Sequence, residues 1–96
     1  MCGIFGYIGD KNASHVLVQG LLRLEYRGYD SSGIVVRNGS LQTFKEIGKI
    51  SDLASSLPKR EGTIGISHTR WATHGGVTKE NAHPHTSVDG KVAIVD

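Results

Sequence analysis

An α+β domain with antiparallel strands is what this sequence predicts, and three features point there. Short apolar runs bounded by turn residues read as strands. Between the first two of them the apolar spacing switches to a helical period. An Asn-Gly pair at 38–39 then stands between two strand-like segments, which is the strongest short signal for a two-residue hairpin turn.

The elements follow in order. "GIFGYI", residues 3–8, is an apolar run suited to a buried strand. Gly3, Gly6 and Gly9 lie within or beside that run rather than between a strand and a helix, so they mark close backbone approach and not a dinucleotide fingerprint. From Asn12, a natural N-cap, Leu17, Leu21 and Leu24 form one helical stripe with Val18 and Leu22 beside it, and Gly28 is placed to close the helix. "SGIVVR" and "SLQTFKEI" flank Asn38-Gly39 as an antiparallel pair. A short helix over residues 50–57 stops at Pro58, and "GTIGISHT" returns to a strand. Residues 70–87, polar and carrying Gly75, Gly76 and Pro84, read as a long loop, and "KVAIV" is a final strand that ends beside Asp96. A strand so close to the last residue suggests a fold that continues past it, because its sheet would otherwise lack a covering layer.

Composition narrows the function classes. The 96 residues suit a single domain, and 38% hydrophobic with 21% charged residues is ordinary for a folded protein rather than a disordered one. A net charge of +2, with 11 scattered Lys and Arg and few aromatics, gives no basic patch for nucleic acid. No apolar run reaches the roughly 20 residues of a membrane helix, and no signal-peptide pattern stands at the N-terminus, so a cytoplasmic protein without a membrane partner is expected. The Asn-x-Ser sequons at Asn12 and Asn38 then read as chance matches.

The only cysteine, Cys2, follows the initiator methionine. It reads either as a small buried hydrophobe or as a nucleophile. Removal of Met1 would put a thiol and a free α-amine on one residue, and an amine of pKa about 7.7 to 8.0 can take the proton of a thiol of pKa about 8.5. If Met1 stays, that nitrogen is an amide and cannot act as base.

"SHTRWATHGG", residues 67–76, offers a planar guanidinium at Arg70, suited to paired hydrogen bonds with a substrate carboxylate, with the hydroxyl of Thr73 and two glycines beside it. A structural ion pair for Arg70 and a core position for Trp71 fit this segment equally well. Among the five histidines, His68, His74, His83 and His85, with Cys2 as a possible thiolate, invite a metal hypothesis, but only His83-Pro84-His85 resembles a ligand pair, so a structural role is favoured over a metal. Arg27, Tyr29 and Asp30 crowd the junction between helix and hairpin, where they can pair with each other; Arg27 could also steer the terminus near Cys2.

Taken together, "MCGIFGYIG", "LEYRGYDSSG", "HTRWATHG" and "NAHPH" resemble the N-terminal glutaminase domain of the glucosamine-6-phosphate synthase family, within the class II glutamine amidotransferases. The resemblance runs over essentially the whole chain and implies an N-terminal nucleophile hydrolase fold, with stacked β-sheets between helical layers. It implies that Cys2, exposed by methionine removal, attacks the side-chain amide of L-glutamine, releases ammonia, and leaves a thioester for water. Arg70 would hold the substrate carboxylate, with Thr73 and His74 in the same loop, Trp71 shaping the pocket, and Arg27 near the nucleophile. No cofactor and no metal are implied, and the partner of the glutaminase is a sugar isomerase domain that this sequence does not contain.

The family's strand matching "KVAIV" leads into a His-Asn-Gly segment that supplies the oxyanion donors, and here Asp96 stands instead. Loss of one such donor costs about 100- to 1,000-fold in turnover. Residues 1–96 are therefore expected to form the N-terminal part of the domain, with little activity alone and a tendency to self-associate through an unpaired edge and exposed apolar faces. The alternative is a non-catalytic remnant or interaction module that completes its fold with another chain.

Overall fold

Alternation along each strand, rather than length of the apolar runs, decides how this chain is layered. The computed structural model describes residues 2–27, 30–57, 62–71 and 76–96, with Arg27 and Ser56 described by backbone alone. Its elements are β1 (Gly3–Ile8), α1 (Ala13–Leu24) continuing into a 3-10 turn (Glu25–Arg27), β2 (Ser31–Asn38), β3 (Ser40–Ile47), α2 (Ile50–Ser56), β4 (Ile64–Arg70), β5 (His85–Thr86) and β6 (Ala93–Ile94).

The four long strands form one antiparallel sheet in the order β1-β4-β2-β3, and β5 pairs with β6 in a second, two-stranded sheet. Period-two geometry sends alternate side chains to opposite faces. Ile34 and Val36 of β2 point to the helical face, where they are sealed by Ala13, Leu17 and Leu21 of α1 and by Ile50 and Leu53 of α2. Phe5, Tyr7, Phe44 and Leu57 close the rim of this core. The approach of helix to sheet is close: a Cβ at Gly65 would stand 2.7 Å from Leu17 Cδ1 and 2.6 Å from the Val35 carbonyl oxygen.

Helix α1 starts as the sequence suggests. Asn12 is extended at φ −62°, ψ 111°, and its Oδ1 accepts from the Ser14 amide at 3.1 Å, satisfying one of the donors that a helix N-terminus leaves open. Leu22, expected beside the buried stripe, is exposed, since it lies past the edge of the contact with the sheet. The expected cap at Gly28 lies outside the described residues. Helix α2 has no side-chain cap of its own. Glu25, from the 3-10 turn after α1, serves instead, its Oε2 accepting from the Ile50 amide at 2.8 Å.

Several expectations need correction. The "GIFGYI" strand is an edge strand, with Ile4 and Ile8 exposed at 51% and 79% on the face away from the helices; an apolar run does not by itself say that both faces are covered. The hairpin is centred on Gly39, with Asn38 opposite Ser40, so it is not a two-residue Asn38-Gly39 turn. Gly39 sits at φ 76° with open space around it, a conformation that glycine reaches without steric cost. "KVAIV" contributes only Ala93 and Ile94, because its partner β5, set inside the expected loop, is two residues long.

The β5-β6 pair lies across the face of the sheet opposite the helices. Ala93 closes a space of about 180 Å³ over Val35, Ile64 and Ile66. A Cβ on Gly33 would collide with the His83 carbonyl oxygen, so glycine is what lets this layer sit down on β2. No helix of the described residues is long and apolar enough to cross a membrane.

Candidate active site

Register brings the two ends of the chain's chemistry together. β1 and β4 pair with Gly3 opposite Thr69 and Ile4 opposite His68; continuing by one residue sets Cys2 opposite Arg70. β2 and β4 pair with Ser31 opposite Arg70. Cys2, Arg70 and Ser31 therefore form one row at the end of the sheet, on the face away from the helices. His68 and Gly33 form the next row on that face.

The Cys2 Sγ stands 4.0 Å from the carbonyl oxygen of Trp71, the residue that follows Arg70 at the end of β4. Cys2 is half-buried and in no disulfide. Arg70 is only 7% exposed, and its Nη1 donates to the Gly76 carbonyl at 2.8 Å. Asn81 Nδ2 donates to the same oxygen at 3.0 Å, so the segment after Arg70 folds back and is held from two sides. On the main chain, the Asp30 amide donates to the Arg70 carbonyl and the Gly48 amide to the Asp30 carbonyl, each at 3.0 Å. These bonds fasten the end of β4 to the junctions around β2.

Trp71 is half-exposed, which rules out the core position that its size allowed, and its main-chain carbonyl is the group that approaches the thiol. Thr73 and His74 lie outside the described residues, as do Tyr29, Met1 and the side chain of Arg27. The backbone of Arg27 is in the 3-10 turn, and the main chain of Asp30 bonds to Arg70 and Gly48.

Two features went unread in the sequence. Ser31 is fully buried in the Cys2–Arg70 row, and its Oγ has no hydrogen-bond partner among the described residues. Its only signal was position beside Asp30. The second is a run of three imidazoles: His68 and His83 stack with centroids 4.3 Å apart and 28° between planes, and His85 lies 4.3 Å from His83 at 53°. His68 is fully buried, and its Nε2 donates to the main-chain oxygen of Asp96 at 2.7 Å, which fixes the proton on Nε2 and leaves a buried Nδ1 with no partner among the described residues. Burial, above all, pushes the His68 pKa down, with the Arg70 and His85 charges adding to it and Asp96 opposing. His83 is pushed down to about 4 by burial and then by the charges of His68, His85 and Arg70. Among the described residues no group of three or more His, Cys, Asp or Glu side chains is arranged to hold a metal ion.

A thiol and a guanidinium on one row of a rigid sheet can attack an acyl carbon while anchoring a carboxylate on the same molecule. The larger groove of about 570 Å³ between α1 and α2, lined by Lys11, His15 and Gln19, lies on the other side of the sheet and contains no such pair.

Comparison with known proteins points the same way. The chain is 56% identical over 98 residues to glutamine–fructose-6-phosphate aminotransferase (isomerizing) of Thermus thermophilus, covering 99% of this chain and 16% of that protein. It is 59% identical over 97 residues to the protein of that name from Listeria monocytogenes, and 50% over 100 residues to that from Chlorobaculum tepidum, with 99% and 16% covered in both cases. No family model matches the chain. Among solved structures it superimposes on the glutamine phosphoribosylpyrophosphate amidotransferase of B. subtilis, complexed with ADP and GMP, with a TM-score of 0.75 and 31% identity, covering 93% of this chain and 20% of that one. An allosteric regulatory enzyme of purine biosynthesis gives a TM-score of 0.77 at 34% identity, with 88% and 19% covered. The fold of the described residues is that of the amidotransferases of the N-terminal nucleophile type, an α+β arrangement of which this chain holds part.

Proposed function

We propose that this chain is the nucleophile-bearing part of a glutamine amidotransferase whose ammonia serves the synthesis of glucosamine 6-phosphate from fructose 6-phosphate. The observation that carries it is the shared row of Cys2 and Arg70 on one sheet face, with the thiol directed at the Trp71 carbonyl.

The Cys2 thiolate attacks the side-chain carbonyl carbon of L-glutamine. The C–N bond breaks, the leaving nitrogen takes a proton and departs as ammonia, and water hydrolyses the glutamyl thioester to glutamate. Arg70 grips the substrate α-carboxylate; a lysine could not reproduce its paired hydrogen bonds. In this reading Trp71 contributes to the pocket, Thr73 and His74 are assigned to carboxylate binding, and Arg27 is assigned to support of the nucleophile. The sugar isomerase domain that consumes the ammonia belongs to the longer enzyme, which works in the cytoplasm. Donors for the tetrahedral oxyanion are expected downstream of Asp96, so turnover by these residues alone is expected to be low.

The test is the intact mass of the chain, alone and mixed with the downstream part of a relative's glutaminase domain, before and after a glutamine-mimicking diazoketone. Loss of Met1 and one adduct on Cys2, with ammonia release restored by mixing, is the expected result. Stable association with a free Cys2 that takes no label would overturn it in favour of a non-catalytic interaction module. Arg70→Lys should slow labelling by the diazoketone roughly 10- to 100-fold, the cost of about 1.5–3 kcal/mol for a lost charge-assisted hydrogen bond, while leaving the rate with iodoacetamide unchanged.

A further inference from the structure

The imidazole stack lies outside the proposed chemistry yet joins both sides of it. His68 is on β4, two residues before Arg70, and His83 follows the segment whose Gly76 carbonyl accepts from the Arg70 guanidinium and, alongside it, from Asn81 Nδ2. The two rings are face to face, and the His83 carbonyl rests on Gly33, opposite His68. We propose that His68 and His83 are positioning residues, a neutral imidazole clamp that holds the segment from Gly76 to His85 against β4, so that the carboxylate seat around Arg70 exists only while both rings are uncharged. The clamp deepens the glutamine reading and, in its effect on substrate, rests on it.

Charge is what would open it. Two stacked imidazolium ions repel, and a buried one has little water to solvate it. The groups facing the stack from each packed element are Arg70 on β4, His85 on β5, and Asp96 after β6. β1 presents Ile4 beside His68, β2 presents Gly33, and Lys45 of β3 lies opposite Gly33, with Glu80 of the clamped segment near it. Of these only Asp96 and Glu80 are anionic, so a proton on the stack meets mostly positive or apolar surroundings. The His83 pKa of about 4, against an ordinary value of 6.5, means that the open state binds the proton more tightly. Closure is thus complete above pH 6.5 and is lost as pH falls toward 4.

Amide hydrogen exchange of this chain as a function of pH, corrected for the intrinsic acid dependence of exchange, tests the clamp directly. Protection of amides in residues 77–86 should fall about tenfold per pH unit below 6.5, while α1 stays protected. His83→Phe keeps an aromatic stack without a titrating group and should flatten that profile; His68→Gln is a second variant should the first not fold. Alongside it, the rate of Cys2 labelling by the diazoketone is divided by the rate with iodoacetamide, which cancels the thiolate fraction. That ratio should fall over the same pH interval in the parent and stay level in His83→Phe. Exchange that does not change with pH would overturn the clamp. Exchange that titrates while the labelling ratio stays level would overturn its role in positioning the site. A parent that titrates in exchange yet takes no diazoketone, even with the downstream part present, would remove the glutamine reading and with it the positioning role.

Discussion

On the helical face of the sheet, Ile34 and Val36 are sealed without solvent exposure beneath Leu17, Leu21, Ile50 and Leu53. On the opposite face, one residue along on the same strands, stand Cys2, Ser31, His68 and Arg70, with Ile4 and Ile8 open to solvent at the edge. The first face is packed around aliphatic side chains that interlock at a close helix-to-sheet distance, and beside them Ser32 Oγ, Gln42 Oε1 and Thr69 Oγ1 are buried without a hydrogen-bond partner among the described residues. The second gathers a thiol, a guanidinium and imidazoles, and there Ser31 Oγ and His68 Nδ1 are buried without a hydrogen-bond partner among the described residues. Buried polar groups without partners cost stability, and both faces carry them, so the aliphatic packing between helices and sheet offsets that cost for the sheet as a whole. A single sheet can therefore keep a rigid floor under reactive groups because its two faces are independent in side-chain chemistry and joined in backbone.

That division can be broken from either side. Cys2→Ser should slow labelling or turnover by about 10⁴-fold or more, as removal of a nucleophile does, while the urea midpoint changes by less than the equivalent of about 1 kcal/mol. A large loss of stability would show that the two faces are not separable. Leu21→Ala, in the middle of the helical face, should cost about 2–5 kcal/mol in chemical denaturation without altering the pH dependence of the Cys2 face. Acid should act through the other face. Because His83 titrates lower in the folded protein than its ordinary 6.5, stability should decline as pH falls from 6.5 toward 4, and a thermal midpoint that does not change over that range would contradict it. The smallest effect is expected at Asn12→Ala, about 1 kcal/mol from the lost α1 cap, with no change in thiol reactivity.

Local chemistry made the helical face legible in the sequence. The Asn12 cap, the Leu17–Leu21 spacing and the turn at Gly39 are all written within a few residues of where they act, although the register around Gly39 was not. The other face is assembled by contacts between distant residues. Cys2 and Arg70 meet only because β1 pairs with β4, and nothing in the residues near either one states that pairing; their association was reached by resemblance, not by spacing. His83 and His85 drew notice as neighbours, but His68, fifteen residues before the first, joins them only through the sheet. The two-residue length of β5 and β6 was hidden for a related reason. "KVAIV" has strand composition throughout, and it is the partner that limits how much of it pairs.

Trp71 is the molecule's only tryptophan, and its carbonyl stands 4.0 Å from the Cys2 sulfur while its ring is half-exposed. The hydrophobic core therefore contributes no indole emission at all. Excitation near 295 nm, a general choice for indole, makes this protein a fluorophore reporting on one end of one sheet, without any attached dye. Because that tryptophan is the residue whose main chain approaches the thiol, its emission is a natural readout to compare between ligand addition and global unfolding in the same cuvette.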